Sequence, residues 1–504
     1  MSRKALVITA GLAVMTLALT GCGRSAGEAT GDKVDVSKID YVDITPAGTK
    51  EHGPITWGVY RDVQTLDPIF SFDYPDHTAI ALMCETLVRQ NPDSTLTDGL
   101  ATPSRPDDLT LVLDINPKAT FWDGKPVTAE DVVYSLERQR DPKLGGMYVS
   151  VFDRVKDITA TGDKQVTVTF TQPDYWFDGE ISARPGVIIE KAFAEKAGKD
   201  YGTPQGGIMC SGAYQLDSWV PSTGVVAKAN PHYWNGETPK VSQITLKGIA
   251  DDASMTSALT TGEVAGTYPQ AISTLTELQK SKTVDVFQGR GQVTDLLVVA
   301  HKTGPLGDVR VRQALSLALD RQSIVDTVFK GAASIPRWLS NEGTFGYATE
   351  TFRKAFEATP EYTQDIEKAK SLIKEAGVEG QTITIGMSSA IAVTASDSAA
   401  YQAAGEAIGL KVELKSVSPD NFINFFIDPK AREGVDAFPT MNLGEYPDPA
   451  SLMQSIVGPG ASQNYSEFSD DKLNALLEEA RQTADETKRA ELVVDALIGP
   501  QVVI

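Results

Sequence analysis

Residues 118–142 read KATFWDGKPVTAEDVVYSLERQRDP, and the reading of the whole chain starts here. Asp123-Gly124 is a turn pair, because glycine accepts a positive φ, and Pro126 presets φ for the chain that leaves. Thr128 is placed to cap the helix that follows, Glu130 and Asp131 suit its first turn, and Asp141-Pro142 stops it. Val132, Val133 and Leu136 form an apolar stripe at helical spacing, with Glu130, Glu137 and Arg138 expected on the wet side. The segment is a strand, a tight turn and a capped helix in one compact unit.

At 504 residues the chain is too long for one hydrophobic core, so two or three lobes with room for a cleft are expected. Lys and Arg total 46 against 67 for Asp and Glu, a net charge of −21. A nucleic-acid partner is not expected, since such binders need a basic footprint to displace phosphate counterions. The chain has no GxxxxGK[ST] and no HExxH, and His52, His77, His232 and His301 are scattered. No metal or cofactor is expected.

The N-terminus reads as an address label. Arg3 and Lys4 precede the apolar run Ala5–Leu19, which is short for a membrane span and ends in Leu19-Thr20-Gly21-Cys22. That ending looks like a bacterial lipobox, so residues 1–21 are expected to be a signal peptide and Cys22 the lipidated residue. A plain secretory signal with an incidental cysteine is the alternative. Residues 22–50 are small, polar and charged without a sustained period, as a flexible tether would be. In an exported chain the remaining Cys84 and Cys210 are expected to pair as a disulfide, with two separate buried thiols as the alternative.

Outward from the opening stretch, Leu109, Leu111, Leu113 and Ile115 alternate with mostly polar neighbours, and Val166, Val168 and Phe170 repeat the pattern after the Gly162-Asp163-Lys164 turn. Both predict strands of a small β-rich subdomain. A helix is expected over His77–Leu87 and another over Asp308–Arg321, the latter stacking Val311, Ala314, Leu315 and Ala318, with its arginines in solvent or structural pairs. Thr382–Met387, Asp397–Ile408 and Leu410–Val417 read as strand, helix, strand, a βαβ unit with a parallel sheet.

The segment FWDGKPVTAEDVVYSLER closely resembles the most recognisable stretch of the extracytoplasmic solute-binding proteins of ABC importers, in the dipeptide and oligopeptide-binding family (family 5). Leu66-Asp67-Pro68, Gly207–Trp219 with Asn230–Gly236, and Asp308–Arg321 are similar to further hallmarks of that family, although Cys210 and Ala213 depart from its common residues. The resemblance implies an α/β, two-lobed periplasmic-binding-protein-like fold with an extra β-rich subdomain in the first lobe. It places the first lobe at 51–280 with the insertion at about 88–175, the second lobe at 281–470, and C-terminal helices returning towards the first lobe at 471–504. Relatives carry a longer apolar tail than Gln501–Ile504, so a shortened C-terminus is expected.

In peptide-binding relatives an aspartate on a second-lobe loop holds the ligand ammonium. The matching stretch here is Met441–Pro449, where Glu445 occupies the aspartate position, Asn442 stands where an aromatic residue is common, and Tyr446 follows. Phe72 and Asp73 after the Leu66-Asp67-Pro68 turn, and Tyr148, resemble further ligand-facing positions, with packing at a lobe edge as the alternative for each. The implied function is that of a monomeric, lipid-anchored protein outside the cell membrane, without catalytic activity. It captures a small molecule, a peptide being favoured, and delivers it to permease subunits driven by a cytoplasmic ATPase. A sugar, a metal complex or haem on the same fold is the alternative, as is an exported hydrolase using Glu445 and Asp448 as paired carboxylates.

Overall fold

The computed structural model describes residues 41–498, apart from 43, 72, 237, 238, 269, 270, 290, 389–392, 459, 460 and 462. Cys22 and Phe72 therefore lie outside the described residues. The opening stretch folds as its local chemistry dictates. Gly124 takes φ +82° in the turn, and the helix Ala129–Arg140 starts in a capping box, with the Asp131 N–H donating to Thr128 Oγ1 at 3.3 Å and the Thr128 N–H donating to the Asp131 carboxylate at 2.9 Å. Val132 and Leu136 are fully buried beneath it.

Arg138 corrects the expectation of a wet helix face. Its guanidinium donates to both oxygens of Asp67, at 2.7 and 2.6 Å, and lies over the Tyr201 ring. Asp67 is 1% exposed, so its charge has no water to face and the arginine is drawn inward to meet it.

This helix packs against an antiparallel sheet ordered Ala101–Asp107, Thr110–Ile115, Gln165–Phe170, Val155–Gly162. Leu111, Leu113, Ile115, Val166, Val168 and Phe170 share one buried core with Val132 and Leu136. Leu109 does not join them. Its N–H donates to the Asp107 carboxylate at the tip of the hairpin, and this turn hydrogen bond keeps it out of the strand and exposed.

The rest of the first lobe is built on a five-stranded sheet. Ile55–Val59 lies parallel to both Gly266–Thr267 and Gln243–Gly248, and Gly224–Ala229 and Tyr214–Val220 continue it antiparallel. The adjoining helix spans Tyr74–Met83 instead of His77–Leu87. Asp73 caps it with a side-chain bond from the Tyr74 N–H, and Cys84 is already extended. Extension there brings Cys84 to Cys210, and the two form a disulfide with Cα atoms 4.9 Å apart. The chain-entropy picture puts its stabilisation at up to about 4–5 kcal/mol for so long a loop.

The second lobe carries a sheet ordered Val293–Val299, Ala437–Leu443, Thr382–Ser388, Lys411–Val417. Thr382–Ser388 and Lys411–Val417 are parallel and joined by the helix Thr394–Ala407, which is the βαβ unit read from the sequence. The helix expected over Asp308–Arg321 ends at Ala318, because Asp320 starts a new one, Arg321–Thr327, by accepting from the Ser323 N–H. Val311, Ala314, Leu315 and Ala318 are buried as expected, while Arg310 pairs with Asp308 and Arg312 donates to the carbonyls of Leu306 and Gly307. The last helices, Asp471–Gln482 and Glu486–Ile498, bury Leu473, Leu477 and Val493 in an aromatic cluster with Phe352 and Phe422. From there Arg481 reaches first-lobe Asp174 and Asp153.

Asp67→Ala should cost about 3–5 kcal/mol, because it strands the part-buried Arg138 charge without its partner. Urea unfolding of the variant beside the parent protein measures this, and a cost below 1 kcal/mol would show that the pair contributes little.

Candidate ligand-binding site

The two lobes enclose a cavity of about 1690 Å3. Tyr60, Asp73 and Tyr148 line it from the first lobe, and Asn442, Glu445 and Tyr446 from the second. Five of the six ligand candidates read from the sequence thus meet in one space, the sixth being Phe72. Their bonds set them apart from one another.

Asp73 is committed within the first lobe: it receives the Tyr60 hydroxyl, the Arg61 Nε at 2.9 Å and the Tyr74 N–H. The buried Tyr148 hydroxyl donates to the Ser71 carbonyl at 2.6 Å. Asn442 donates to Gln463 Oε1 at 2.5 Å. Tyr446 is buried, its hydroxyl donating to Gln454 Oε1 at 2.8 Å and its ring lying against Gly179, where a Cβ would come within 2.5 Å of it. Only glycine at 179 lets the second-lobe loop come so near the first lobe.

Glu445 differs from these. Its side chain is 35% exposed and its carboxylate forms an ion pair with Arg184, which belongs to the first lobe. Its backbone is fixed from both sides: the carbonyl receives Gln90 Nε2 at 3.2 Å, and the N–H donates to Ser451 Oγ at 2.9 Å. The loop therefore presents one carboxylate to the cavity on a rigid support. Asp448 is turned the other way. It caps the helix Pro449–Val457 and is 3% exposed, and burial pushes its carboxyl up to about 6. Asp448, unlike Glu445, is not among the residues lining the cavity, whereas a paired-carboxylate hydrolase needs both groups at the substrate.

The family model for bacterial extracellular solute-binding proteins, family 5, matches residues 95–464. The chain belongs to that family. Among curated relatives, the family 5 chain is 26% identical over 467 residues to the periplasmic oligopeptide-binding protein OppA of Salmonella typhimurium, covering 86% of this chain and 82% of the relative. Its fold is similar to that of the periplasmic binding protein DppA from Helicobacter pylori in complex with the peptide STSA, with a TM-score of 0.76, 19% identity and coverage of 89% and 90%. It is equally similar to AgaA of A. tumefaciens R10 in complex with agropinic acid, with a TM-score of 0.76, 22% identity and coverage of 88% and 89%. The architecture is the two-lobed fold of periplasmic binding proteins. Among the described residues no helix is long and apolar enough to cross a membrane, and no cluster of three or more His, Cys, Asp or Glu is placed to hold a metal.

Sequence reading of this family 5 member missed Arg184, Asp295 and Asp397. Burial and then the Asp397 charge push the Asp295 carboxyl up to about 8, and burial pushes Asp397 up to about 7. Tyr401 is on the same helix as Asp397, its phenol raised first by burial and next by Asp295, with the Arg321 charge acting against both. The only early signal was Asp295 itself, a lone charge in the apolar run VTDLLVV.

Both carboxyls sit above the value of about 3.9 expected in an unfolded chain. The folded state holds protons that the unfolded state releases, so their contribution to stability is full below that value and is lost as pH rises through about 7–8. The thermal midpoint should fall between about pH 5.5 and 8.5, and fall less in Asp397→Asn. Equal slopes by scanning calorimetry would contradict the coupling of the two groups.

Proposed function

We propose that this family 5 protein is the ligand-capturing subunit of an ABC importer, that its ligand is a peptide, and that Glu445 receives the peptide's N-terminal ammonium. The observation that carries the reading is Glu445 itself, a partly exposed carboxylate on a rigid loop at the wall of an interlobe cavity. At about 1690 Å3 that cavity exceeds the roughly 300–1,000 Å3 that suits drug-sized ligands, and it accommodates an extended chain. A carboxylate has lone pairs enough to serve Arg184 and an ammonium together. The oligopeptide-binding relative and the peptide held by the Helicobacter pylori neighbour support the same class of ligand.

Calorimetric titration with tri- to pentapeptides tests this. Glu445→Gln should weaken binding about ten- to a hundredfold, the worth of one hydrogen bond to a charged group. N-acetylation of the peptide should weaken binding to the parent protein by a similar factor and to the variant hardly at all. Equal affinity for free and acetylated peptides would remove Glu445 from the role, and failure of every peptide while a non-peptide solute co-purifies would overturn the ligand class.

We also infer that the mature protein stays at the outer surface of the membrane through lipid on Cys22, the last residue of the Leu19-Thr20-Gly21-Cys22 run. Cys22→Ser should move the protein out of the membrane fraction and abolish labelling by radioactive palmitate. Labelling that survives the substitution would place the lipid elsewhere.

A further inference from the structure

One residue of the second lobe is held mainly from the first. Glu445 has three polar groups, and its own lobe answers only the N–H, through Ser451 Oγ at 2.9 Å. The carbonyl receives Gln90 Nε2 at 3.2 Å, and the carboxylate pairs with Arg184. Gln90 and Arg184 belong to one first-lobe framework, since Gln90 Nε2 also donates to Ser182 Oγ at 3.0 Å, two residues before Arg184.

That framework has little slack. The Arg184 carbonyl receives Gln139 Nε2 at 2.9 Å from the helix Ala129–Arg140, and the Gly186 carbonyl receives the Leu87 N–H at 2.9 Å. A Cβ at Gly186 would come within 1.7 Å of the Ile181 carbonyl oxygen, so the turn that carries Arg184 is as tight as glycine allows. The arginine side chain is 17% exposed and cannot wander freely in solvent.

The pairing also divides the carboxylate. Oε2, the oxygen that Arg184 pairs with, is buried, so the exposed part of the Glu445 side chain does not include it. Among the described residues no hydrogen bond reaches Oε1. Glu445 is among the residues lining the cavity and Arg184 is not, so the arginine acts on the ligand space through the glutamate.

We propose that Arg184 is a positioning residue for ligand capture: from the first lobe it fixes Glu445 Oε2, with Gln90 on the backbone of the same residue, and leaves Oε1 to the ligand ammonium. Recognition of the ammonium is thereby coupled to the meeting of the lobes, because neither lobe alone sets the acceptor. A carboxylate placed in advance binds without first losing side-chain freedom, and that is the affinity Arg184 supplies. This rests on Glu445 being the ammonium acceptor, as proposed above, and adds that the two lobes build the acceptor together.

The test titrates the full chain with trialanine and with N-acetyl-trialanine by calorimetry. Arg184→Gln, which removes the charge, should weaken trialanine about five- to tenfold, the lower range of coupling between linked equilibria, and leave the acetylated peptide within about twofold. Arg184→Lys, which keeps the charge, should recover most of the loss. Equal losses for both peptides would mean a merely structural arginine, and tighter binding of trialanine by Arg184→Gln would mean that the guanidinium occupies the ammonium's place; either result overturns the inference.

If the parent protein binds the two peptides alike, or binds neither, the ammonium reading of Glu445 fails, and hydrogen exchange decides the positioning on its own. Exchange across Met441–Leu443 and Gly444–Tyr446 should quicken about fivefold in Arg184→Gln and in Gln90→Ala and stay near the parent rate in Arg184→Lys. That pattern keeps the two-lobe hold on Glu445 for a ligand of other chemistry, and unchanged exchange in Arg184→Gln overturns it.

Discussion

Asp174 is wholly buried in the first lobe, and the cation that satisfies it comes from the other end of the chain. Arg481 donates Nε at 2.9 Å and Nη2 at 2.6 Å to its carboxylate and extends to Asp153 at 2.8 Å. A lone buried carboxylate is unfavourable by several kcal/mol, so this surface of the first lobe is complete only with the helix Asp471–Gln482 in place. Glu478 of the same helix takes Arg154, and the Arg481 carbonyl receives the Tyr175 N–H. The wall formed by Trp176, Glu180 and Tyr446 is held between these contacts. Glu180, buried beside Asp174, has its carboxyl pushed well up by burial and by that neighbouring charge.

The acidic groups of the cavity thus divide into two kinds. Most are already answered by the protein, as Asp73 is by Arg61 and Glu478 by Arg154, and they shape the walls without seeking anything further. Glu445 is answered across the lobe boundary by Arg184, so any ammonium that reaches it shares the carboxylate with a guanidinium. Asp295 Oδ1 and Glu180 Oε2, on residues that line the cavity, are buried without a hydrogen-bond partner. Polar contacts in a cleft cut off from water are strong when matched and unfavourable when not, which makes the unanswered groups the informative ones.

Local chemistry was legible in the sequence, and long-range pairing was not. The Asp123-Gly124 turn, the Thr128 cap, the βαβ unit of the second lobe and the buried faces of the β-rich sheet follow from period and turn residues alone. Arg138 looked like a solvent residue because its partner Asp67 is 71 positions away, a distance over which no helical or strand period carries information. Leu109 fitted the alternation, but a single side-chain hydrogen bond in the hairpin decided otherwise. Glu445 was found through a resemblance in its loop, whereas Arg184, its partner, lies in a short 3-10 turn with no pattern to mark it. Asp397 sits in the sequence TASDSAA and reads as an ordinary helix residue until the fold brings Asp295 to it.

The disulfide closes a covalent ring around the whole four-stranded sheet and its helix, since Cys84 precedes both and Cys210 follows both. For the response to proteolysis this has a topological consequence. A single cut anywhere in the ring leaves one molecule, its two fragments still bonded through Cys84 and Cys210. The four-stranded sheet can be nicked without being shed, and only a second cut, or reduction of the bond, frees a piece of the first lobe.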